Sequence, residues 1–450
     1  MCEIMLQANV VIKQNTRVLQ TKTKFVMRIL IYSYNYYPEP IGIAPLMTEL
    51  AEGLVKRGHQ VRVVTAMPNY PERRIYQGYR GKSYVTEYKN GVQIQRSFVW
   101  IRPQPNLIDR VLLDASFVVT SFLPALAGWR PDVILSTSPS LPVCLPTALL
   151  GWLHNCPVVL NLQDILPEAA VHVGLLKNKW LIRMFAVLEK FAYQSATKIS
   201  VIADGFVENL LTKGVAPKKI VQIPNWVDIN FIRPLPKENN AFRAAHNLDG
   251  KFVVLYSGNI ALTQGLETVV KAASLLRHIP DIAFAIVGEA KGLQRLQMAC
   301  TECGADNVLL LPFQPRERLP EMLAAADVGL VVQKKNVISF NMPSKIQVLL
   351  ASGRALVGSV PSNGTAARAI KQSGGGVVVP PEDPHALAKA ILDLYKHPEK
   401  VKTFGYNSRQ FAVDQYAFEQ ALTQYESLFY SVTTKRPAIV EPIVVSKQEV

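Results

Sequence analysis

Lys345 follows Pro343 and Ser344 and heads a helical pattern that Gly353 closes. Proline suits a first helical turn and glycine a C-terminal stop. A cation at a helix start is opposed by the helix dipole unless an anion is also there, so this placement argues for a bound phosphate; the plainer alternative is a solvent-facing lysine. A second stretch, Tyr256-Ser-Gly-Asn-Ile-Ala-Leu-Thr-Gln-Gly-Leu-Glu-Thr-Val-Val270, reads as a strand delivering Gly258, a loop carrying Asn259 and Gln264, and a helix opened by Gly265. Free N–H groups at such a helix start hold phosphate oxygens, and glycine lets the backbone approach closely. An ordinary glycine-bearing turn has the same spacing. In a third stretch Asp164, Glu168 and His172 stand four apart, a spacing that puts all three on one helical face. Two carboxylates and an imidazole just past a strand suit proton transfer in a cleft; a capping aspartate with a surface glutamate is the alternative.

Other chemistries lack their residues. No Gly-x-Gly-x-x-Gly follows the first strand of either half, and there is no Gly-x-x-x-x-Gly-Lys, which speaks against nicotinamide, flavin and P-loop sites. No Asp-x-Asp occurs, and no metal or other cofactor is expected. Cys300-x-x-Cys303 has neither a second such pair nor nearby histidines, and it sits in a helical pattern with Leu293, Leu296 and Ala299. Five cysteines in 450 residues make no disulfide framework and point to a reducing compartment.

The elements that must position these residues alternate between strand and helix. Short apolar runs at residues 28–33, 61–65, 132–136, 157–161, 198–202 and 220–223 read as strands buried on both faces. A second series follows at 252–256, 284–287, 308–311, 328–332, 355–358 and 376–379. A proline-rich connector, Pro224-Asn-Trp-Val-Asp-Ile-Asn-Phe-Ile-Arg-Pro-Leu-Pro236, separates them. The expected fold is α/β, with two Rossmann-like doubly wound domains facing a central cleft into which both present the loops beyond their strands. The expected boundaries are an extension or mis-assigned start over 1–26, a first domain over 27–223, a connector over 224–250, a second domain over 251–410, a helix packing back on the first domain over 411–433, and a loose tail over 434–450.

Composition excludes disordered, collagenous and coiled-coil classes: 49% of residues are hydrophobic and 18% charged. The net charge of +15 is uneven, since residues 1–130 hold 17 Lys/Arg against 8 Asp/Glu. One end therefore faces something anionic, and a membrane surface is expected rather than nucleic acid, for which no recognition module is present. The apolar run 111–129, flanked by Arg96, Arg102, Arg110 and Arg130, is either a core helix or a segment lying at a membrane surface; Asp114 and Pro124 count against a span.

In order, the stretches Tyr36-Tyr-Pro-Glu-Pro-Ile-Gly-Ile-Ala44, Gln163-Asp-Ile-Leu-Pro-Glu168, Ile223-Pro-Asn-Trp-Val-Asp228, Gly258-Asn259 with Gln264-Gly-Leu-Glu267, Pro343-Ser-Lys345, Leu350-Ala-Ser-Gly-Arg354 and Gly374-Gly-Gly-Val-Val-Val-Pro-Pro-Glu-Asp-Pro384 are similar to those of family 4 glycosyltransferases of GT-B fold. Within that family the chain resembles the colanic-acid-type (WcaI- or WbuB-like) transferases over about residues 27–430.

The resemblance implies a retaining transfer from a nucleotide sugar, UDP- or GDP-linked, to a polyprenyl-diphosphate-linked or saccharide acceptor in exopolysaccharide or envelope synthesis, by an enzyme held at the inner face of the cytoplasmic membrane. It implies that Gly42 stands near the diphosphate, with Gly258, Asn259, Gln264 and Gly265 looping around it. Gly288 and Glu289 then lie near the ribose or base, Asn341, Ser344 and Lys345 near sugar and phosphates, and Asp164, Glu168 and His172 on the acceptor side. The chain departs from the family at Phe340 and Val348, where a pair of glutamates is usual, and at Asn259 and Gln264, where a basic pair is usual. Lys345, helix dipoles and Arg354 are then left to meet the phosphate charge. Two alternatives share the fold: a nucleotide-sugar 2-epimerase and a non-catalytic nucleotide-sugar-binding subunit.

Overall fold

The computed structural model describes residues 25–433 apart from residues 41, 139, 169–170, 172–177, 262, 338–339 and 341. His172, Asn341, the tail from 434 and the extension up to residue 24 lie outside the described residues.

The first sheet has eight strands: β1 (Arg28–Tyr32), β2 (Gln60–Ala66), β3 (Tyr84–Lys89), β4 (Val92–Ser97), β5 (Val133–Thr137), β6 (Val158–Leu162), β7 (Lys198–Val201) and β8 (Ile220–Gln222). Their order is β3-β4-β2-β1-β5-β6-β7-β8, and every pairing except β3 with β4 is parallel. The second sheet contains β9 (Phe252–Ser257), β10 (Ile282–Gly288), β11 (Val308–Pro312), β12 (Val328–Val332), β13 (Ala355–Ser359) and β14 (Gly376–Val379) in the order β11-β10-β9-β12-β13-β14, all parallel. β1, β5, β12 and β13 are apolar almost throughout because helices cover both faces of each sheet.

The order of connection reverses between β1 and β5 in one sheet and between β9 and β12 in the other. A crevice opens beyond the carboxyl ends of strands at such a reversal. In the second sheet the segments leaving β9 and β12 are those that carry Gly258 and Lys345, so topology brings them together.

Around the first sheet lie α1 (Ile43–Lys56), α2 (Leu107–Ala127), α3 (Cys144–His154), α4 (Lys179–Ser195) and α5 (Asp204–Thr212). The second carries α6 (Ala241–Ala245), α7 (Glu267–Leu275), α8 (Ala290–Cys303), α9 (Leu319–Ala324), α10 (Lys345–Ala351), α11 (Thr365–Ser373), α12 (Pro384–Lys396) and α13 (Pro398–Tyr416). The chain then recrosses, and α14 (Phe418–Val432) buries Leu422, Tyr425 and Phe429 in the first domain's core with Ile29, Met47 and Leu50. Arg57 of α1 grips Glu419 and Glu426 of α14 at 2.9 and 2.7 Å. The recrossing comes at Ala417, where Val227 pairs with it, so the helix before it runs through the expected boundary at 411.

One pair of strands was not expected. β3 and β4 form an antiparallel edge hairpin about Asn90 and Gly91, both at positive φ (48° and 79°). Asn-Gly is the residue pair that a tight hairpin turn favours, and that dipeptide was the available signal.

The apolar run is α2, and it is not a core helix. It is the one helix among the described residues long and apolar enough to cross a membrane, yet only 17% of its apolar window is buried. Phe117, Ser121 and Ala125 face the sheet, while Ile108, Val119 and Leu123 are about 70% exposed. α3 and α4 pack in sequence beside it and extend the same surface with Leu149, Trp152, Trp180 and Val187. Arg96 does not flank this face. It is fully buried near the end of β4, because its side chain turns inward to pair with Glu87, stack on the Tyr79 ring and donate to the Tyr37 carbonyl.

Candidate functional site

Lys345 begins α10, and its ammonium turns back under the β9 loop. Nζ stands 3.7 Å from the Tyr256 ring centroid, and a carbon added at Gly258 would lie 3.1 Å from it. Gly258 has φ +141°, so the site needs glycine for both conformation and room. Nζ is buried and has no hydrogen-bond partner among the described residues. With only an aromatic face to offset lost hydration, burial pulls the lysine down to about 7. An unpaired buried ammonium is costly, and an incoming phosphate oxygen would remove that cost.

Two more buried polar atoms near these segments lack partners among the described residues: Gln264 Oε1 in the loop and Gln333 Nε2 just past β12. Gln333 was not singled out from the sequence, nor was Lys334, whose stem lies 3.0 Å from where a side chain at Gly265 (φ +65°) would begin. The Thr263 carbonyl accepts from the Lys334 N–H at 2.9 Å, tying this loop to the segment after β12. Asn259 is exposed, and its carbonyl accepts from the Tyr256 hydroxyl at 2.7 Å. Ser344 is exposed and makes no capping bond.

Gly288 and Glu289 hold the same loop from behind. A side chain at Gly288 would strike Ile260, and the Glu289 carboxylate accepts the Ile260 N–H at 2.9 and 3.1 Å.

Arg354 is not part of this group. Its guanidinium donates to the carbonyls of Ala326 and Leu235 at 3.0 and 2.7 Å and lines a groove of about 700 Å³ with Phe252, Asp281 and Asp327. Those residues stand at or just before the starts of strands. α10 runs from the carboxyl edge of the sheet to its amino edge, which takes Arg354 to the side opposite Lys345.

On the first domain Gly42 begins α1 with φ +72° and ψ −141° and open space around its Cα. The preceding loop is pinned by Glu39, which is buried and accepts from the Asn69 and Tyr70 N–H groups and from Asn35 Nδ2 at 2.8, 2.9 and 2.6 Å. Burial raises its carboxyl, and those hydrogen bonds oppose the shift. Nothing in the local pattern around Glu39 marks that task, because Asn69 and Tyr70 lie 30 and 31 residues away.

Asp164 lies in a bend after β6, where Ser138 Oγ accepts from the Gln163 and Asp164 N–H groups at 2.8 and 3.5 Å. Gln163 bonds Asn225 of the connector in both directions, and Asn161 is held by Ser200 and by Tyr425 of α14. The Asp164 carboxylate reaches solvent beyond the carboxyl end of β6, yet protein crowds it, and this desolvation pushes it up to about 6. A carboxyl poised there can take or give a proton near neutrality.

The single helical face expected for Asp164, Glu168 and His172 does not form, because Asp164 precedes the helical turn at Glu168. Glu168 turns outward to α5, 3.1 Å from Lys213 Nζ and accepting from Asn209 Nδ2 at 2.8 Å. No group of three or more His, Cys, Asp or Glu side chains that could hold a metal ion occurs among the described residues.

The two carboxyl edges face each other. Gly205, at the start of α5, lies against Thr365 of α11 and Phe340, and Arg368 of α11 pairs with Asp204 at 2.5 Å and Glu208 at 3.2 Å.

Residues 42–226 match the family model described as Glycosyl transferase 4-like domain, and residues 238–411 match Glycosyl transferases group 1. The chain is 34% identical over 383 residues to the putative colanic acid biosynthesis glycosyl transferase WcaI of Escherichia coli K12, covering 82% of this chain and 93% of that protein. It is 30% identical to the probable glycosyltransferase WbjE of Pseudomonas aeruginosa over 59% of this chain and 66% of the other. Among solved structures, sucrose-phosphate synthase of Thermosynechococcus elongatus superposes with TM-score 0.69 at 19% identity, over 90% of this chain and 98% of that one. HepE of Anabaena in complex with UDP-glucose gives 0.63 at 17%, over 90% and 100%. These two likenesses establish the GT-B fold.

Proposed function

Starting from a chain that belongs to the glycosyltransferases of group 1 and 4-like type, we propose that it moves a sugar from a UDP- or GDP-linked donor, with retention, onto a polyprenyl-diphosphate-linked saccharide in exopolysaccharide or envelope synthesis. The observation that carries this reading is Lys345: a buried, unpartnered ammonium aimed at the Gly258 loop, where a leaving diphosphate needs positive charge. Gly42 and the N-terminus of α1 face the same charge from the first domain. Asp164 orients or deprotonates the acceptor hydroxyl, and its raised carboxyl suits that task. Transfer by front-face attack, with the leaving phosphate taking the proton, and transfer through an enzyme nucleophile both fit this set of residues. UDP-glucose in the HepE complex supports a nucleotide sugar as donor, and the likeness to the putative colanic acid biosynthesis transferase of Escherichia coli supports polysaccharide synthesis.

The enzyme works from the inner membrane face without crossing it. The apolar outer surface of α2, α3 and α4 enters the lipid interface, and the exposed Arg102, Arg110, Arg183 and Lys190 meet anionic headgroups. Purified enzyme incubated with radiolabelled UDP- and GDP-sugars and lipid-linked saccharide extract tests the whole reading. Label appearing in the lipid fraction, with the donor's anomeric configuration kept by NMR, supports it. A nucleotide sugar converted without any acceptor present would replace it with the epimerase.

A further inference from the structure

We propose that Phe340 is a positioning residue that couples closure of the cleft to the hold on the donor diphosphate. This rests on the donor reading of Lys345 above. Phe340 belongs to the second domain and precedes Lys345 by five residues, yet its side chain is 7% exposed within the first domain's core, among Leu141, Cys144, Leu162 and Ile165. Its ring meets Phe206 of α5 edge-on, with centroids 5.6 Å apart at 70°. Of the buried residues described in that cluster, Phe340 alone comes from the second domain. Met342, two residues closer to Lys345, packs against this cluster and against the second domain's own core.

The contact is built at backbone distance. A side-chain carbon at Gly205 would lie 2.7 Å from the Phe340 Cα and would also overlap Thr365 Oγ1, so α5 can seat this loop only with glycine there. Arg368 ties α11 to Asp204 and Glu208 beside the same contact. Those ion pairs are partly exposed and screened, whereas the apolar ring is withdrawn from water. Opening the cleft extracts Phe340 from its socket, and the loop that ends at Lys345 loses its outer support. By linkage, whatever the diphosphate gains from the closed arrangement, closure gains from the diphosphate. At the position where the resembling family usually carries a glutamate, this chain carries an interdomain anchor.

The test uses the full chain: calorimetric titration with UDP and GDP, donor KM, and solution scattering with and without nucleotide, on wild type, Phe340→Ala, Phe340→Leu and Gly205→Ala, each with its melting temperature. Affinity should fall on the order of tenfold in Phe340→Ala and Gly205→Ala, with donor KM rising in step, while Phe340→Leu keeps most of it. Compaction on adding nucleotide should be lost in the first two. Folded variants that bind within twofold of wild type, or a Leu variant as weak as the Ala variant, would overturn the proposal. Should Phe340→Ala not fold, Gly205→Ala decides by the same criteria. If wild type binds neither nucleotide, the donor reading has failed instead. The anchor is then judged by scattering alone, where an unchanged radius of gyration in Phe340→Ala and Gly205→Ala counts against it.

Discussion

The carboxyl edges of the two sheets share one architecture and are finished in opposite ways. On the second, polar atoms are left wanting: Lys345 Nζ, Gln264 Oε1 and Gln333 Nε2 are buried without partners, around glycines that keep the backbone open. On the first, Glu39 is spent on Asn69 and Tyr70 and Gln163 on Asn225, while the Asp164 side chain stays exposed. In the proposed reading, one edge receives charge and the other holds one carboxyl in place. Desolvation drives both key shifts, in opposite directions: it lowers the Lys345 ammonium to about 7 and raises the Asp164 carboxyl to about 6.

The comparison is tested most severely at Asp164. Asp164→Asn should lower turnover by about 10²–10⁴-fold with little change in donor affinity, as measured by steady-state transfer beside nucleotide titration. Near-full activity would make the first edge a scaffold only. Lys345→Ala should weaken UDP or GDP binding by about 10–150-fold, the equivalent of ~1.5–3 kcal/mol for a charge-assisted contact. Unchanged calorimetric affinity would mean that the unpartnered ammonium serves something else.

A further contrast concerns the outer side of the first domain, whose long exposed apolar helix has no counterpart among the described residues of the second. Replacing Trp152 and Trp180, 77% and 80% exposed, with serine should reduce binding to anionic vesicles by about tenfold in co-sedimentation, because each would bury a large ring in the proposed lipid contact. Arg102→Ser with Arg110→Ser should lower it less and remove much of its salt sensitivity. Arg96 is left out of that set because it is buried.

The smallest effect is on stability against pH. Lys345 titrates near 10.5 unfolded and about 7 folded, so between those values the unfolded chain holds the additional proton. Its contribution to stability therefore rises with pH across that window and is lost as pH falls through 7. Asp164 has the opposite sign: the folded chain holds the additional proton between 3.8 and about 6, and that contribution is lost as pH rises through 6. Urea unfolding of Lys345→Met at pH 6 and pH 9 should show a shallower rise than wild type, with the larger gain over wild type at pH 6.

Much of the second sheet's carboxyl edge could be read along the chain. Gly258, Gly265 and Lys345 lie in short local patterns, a strand followed by a glycine turn or a proline followed by a helix start, and local patterns survive folding. The alternation of apolar runs was enough for two doubly wound domains, since strands buried on both faces need continuous apolar sequence. The β3–β4 hairpin escaped because an edge strand alternates weakly, and only Asn90-Gly91 marked it.

What spacing alone misjudged were matters of direction. Asp164 and Glu168 are four apart, but a bend intervenes and the second turns to Lys213. Arg354 is nine residues from Lys345, and the intervening α10 carries it to the far side of the sheet. Arg96 sits near the apolar helix in sequence and inside the protein in space. By itself the sequence determined which segments become strands and helices and where glycine and lysine stand at their ends, because those depend on neighbours along the chain. Which loops meet, which charges stay unpaired and whether Phe340 lies in its own domain's core or the other's depended on strand order and on how the two sheets face each other. Such contacts join residues more than a hundred positions apart, and no local pattern encodes them.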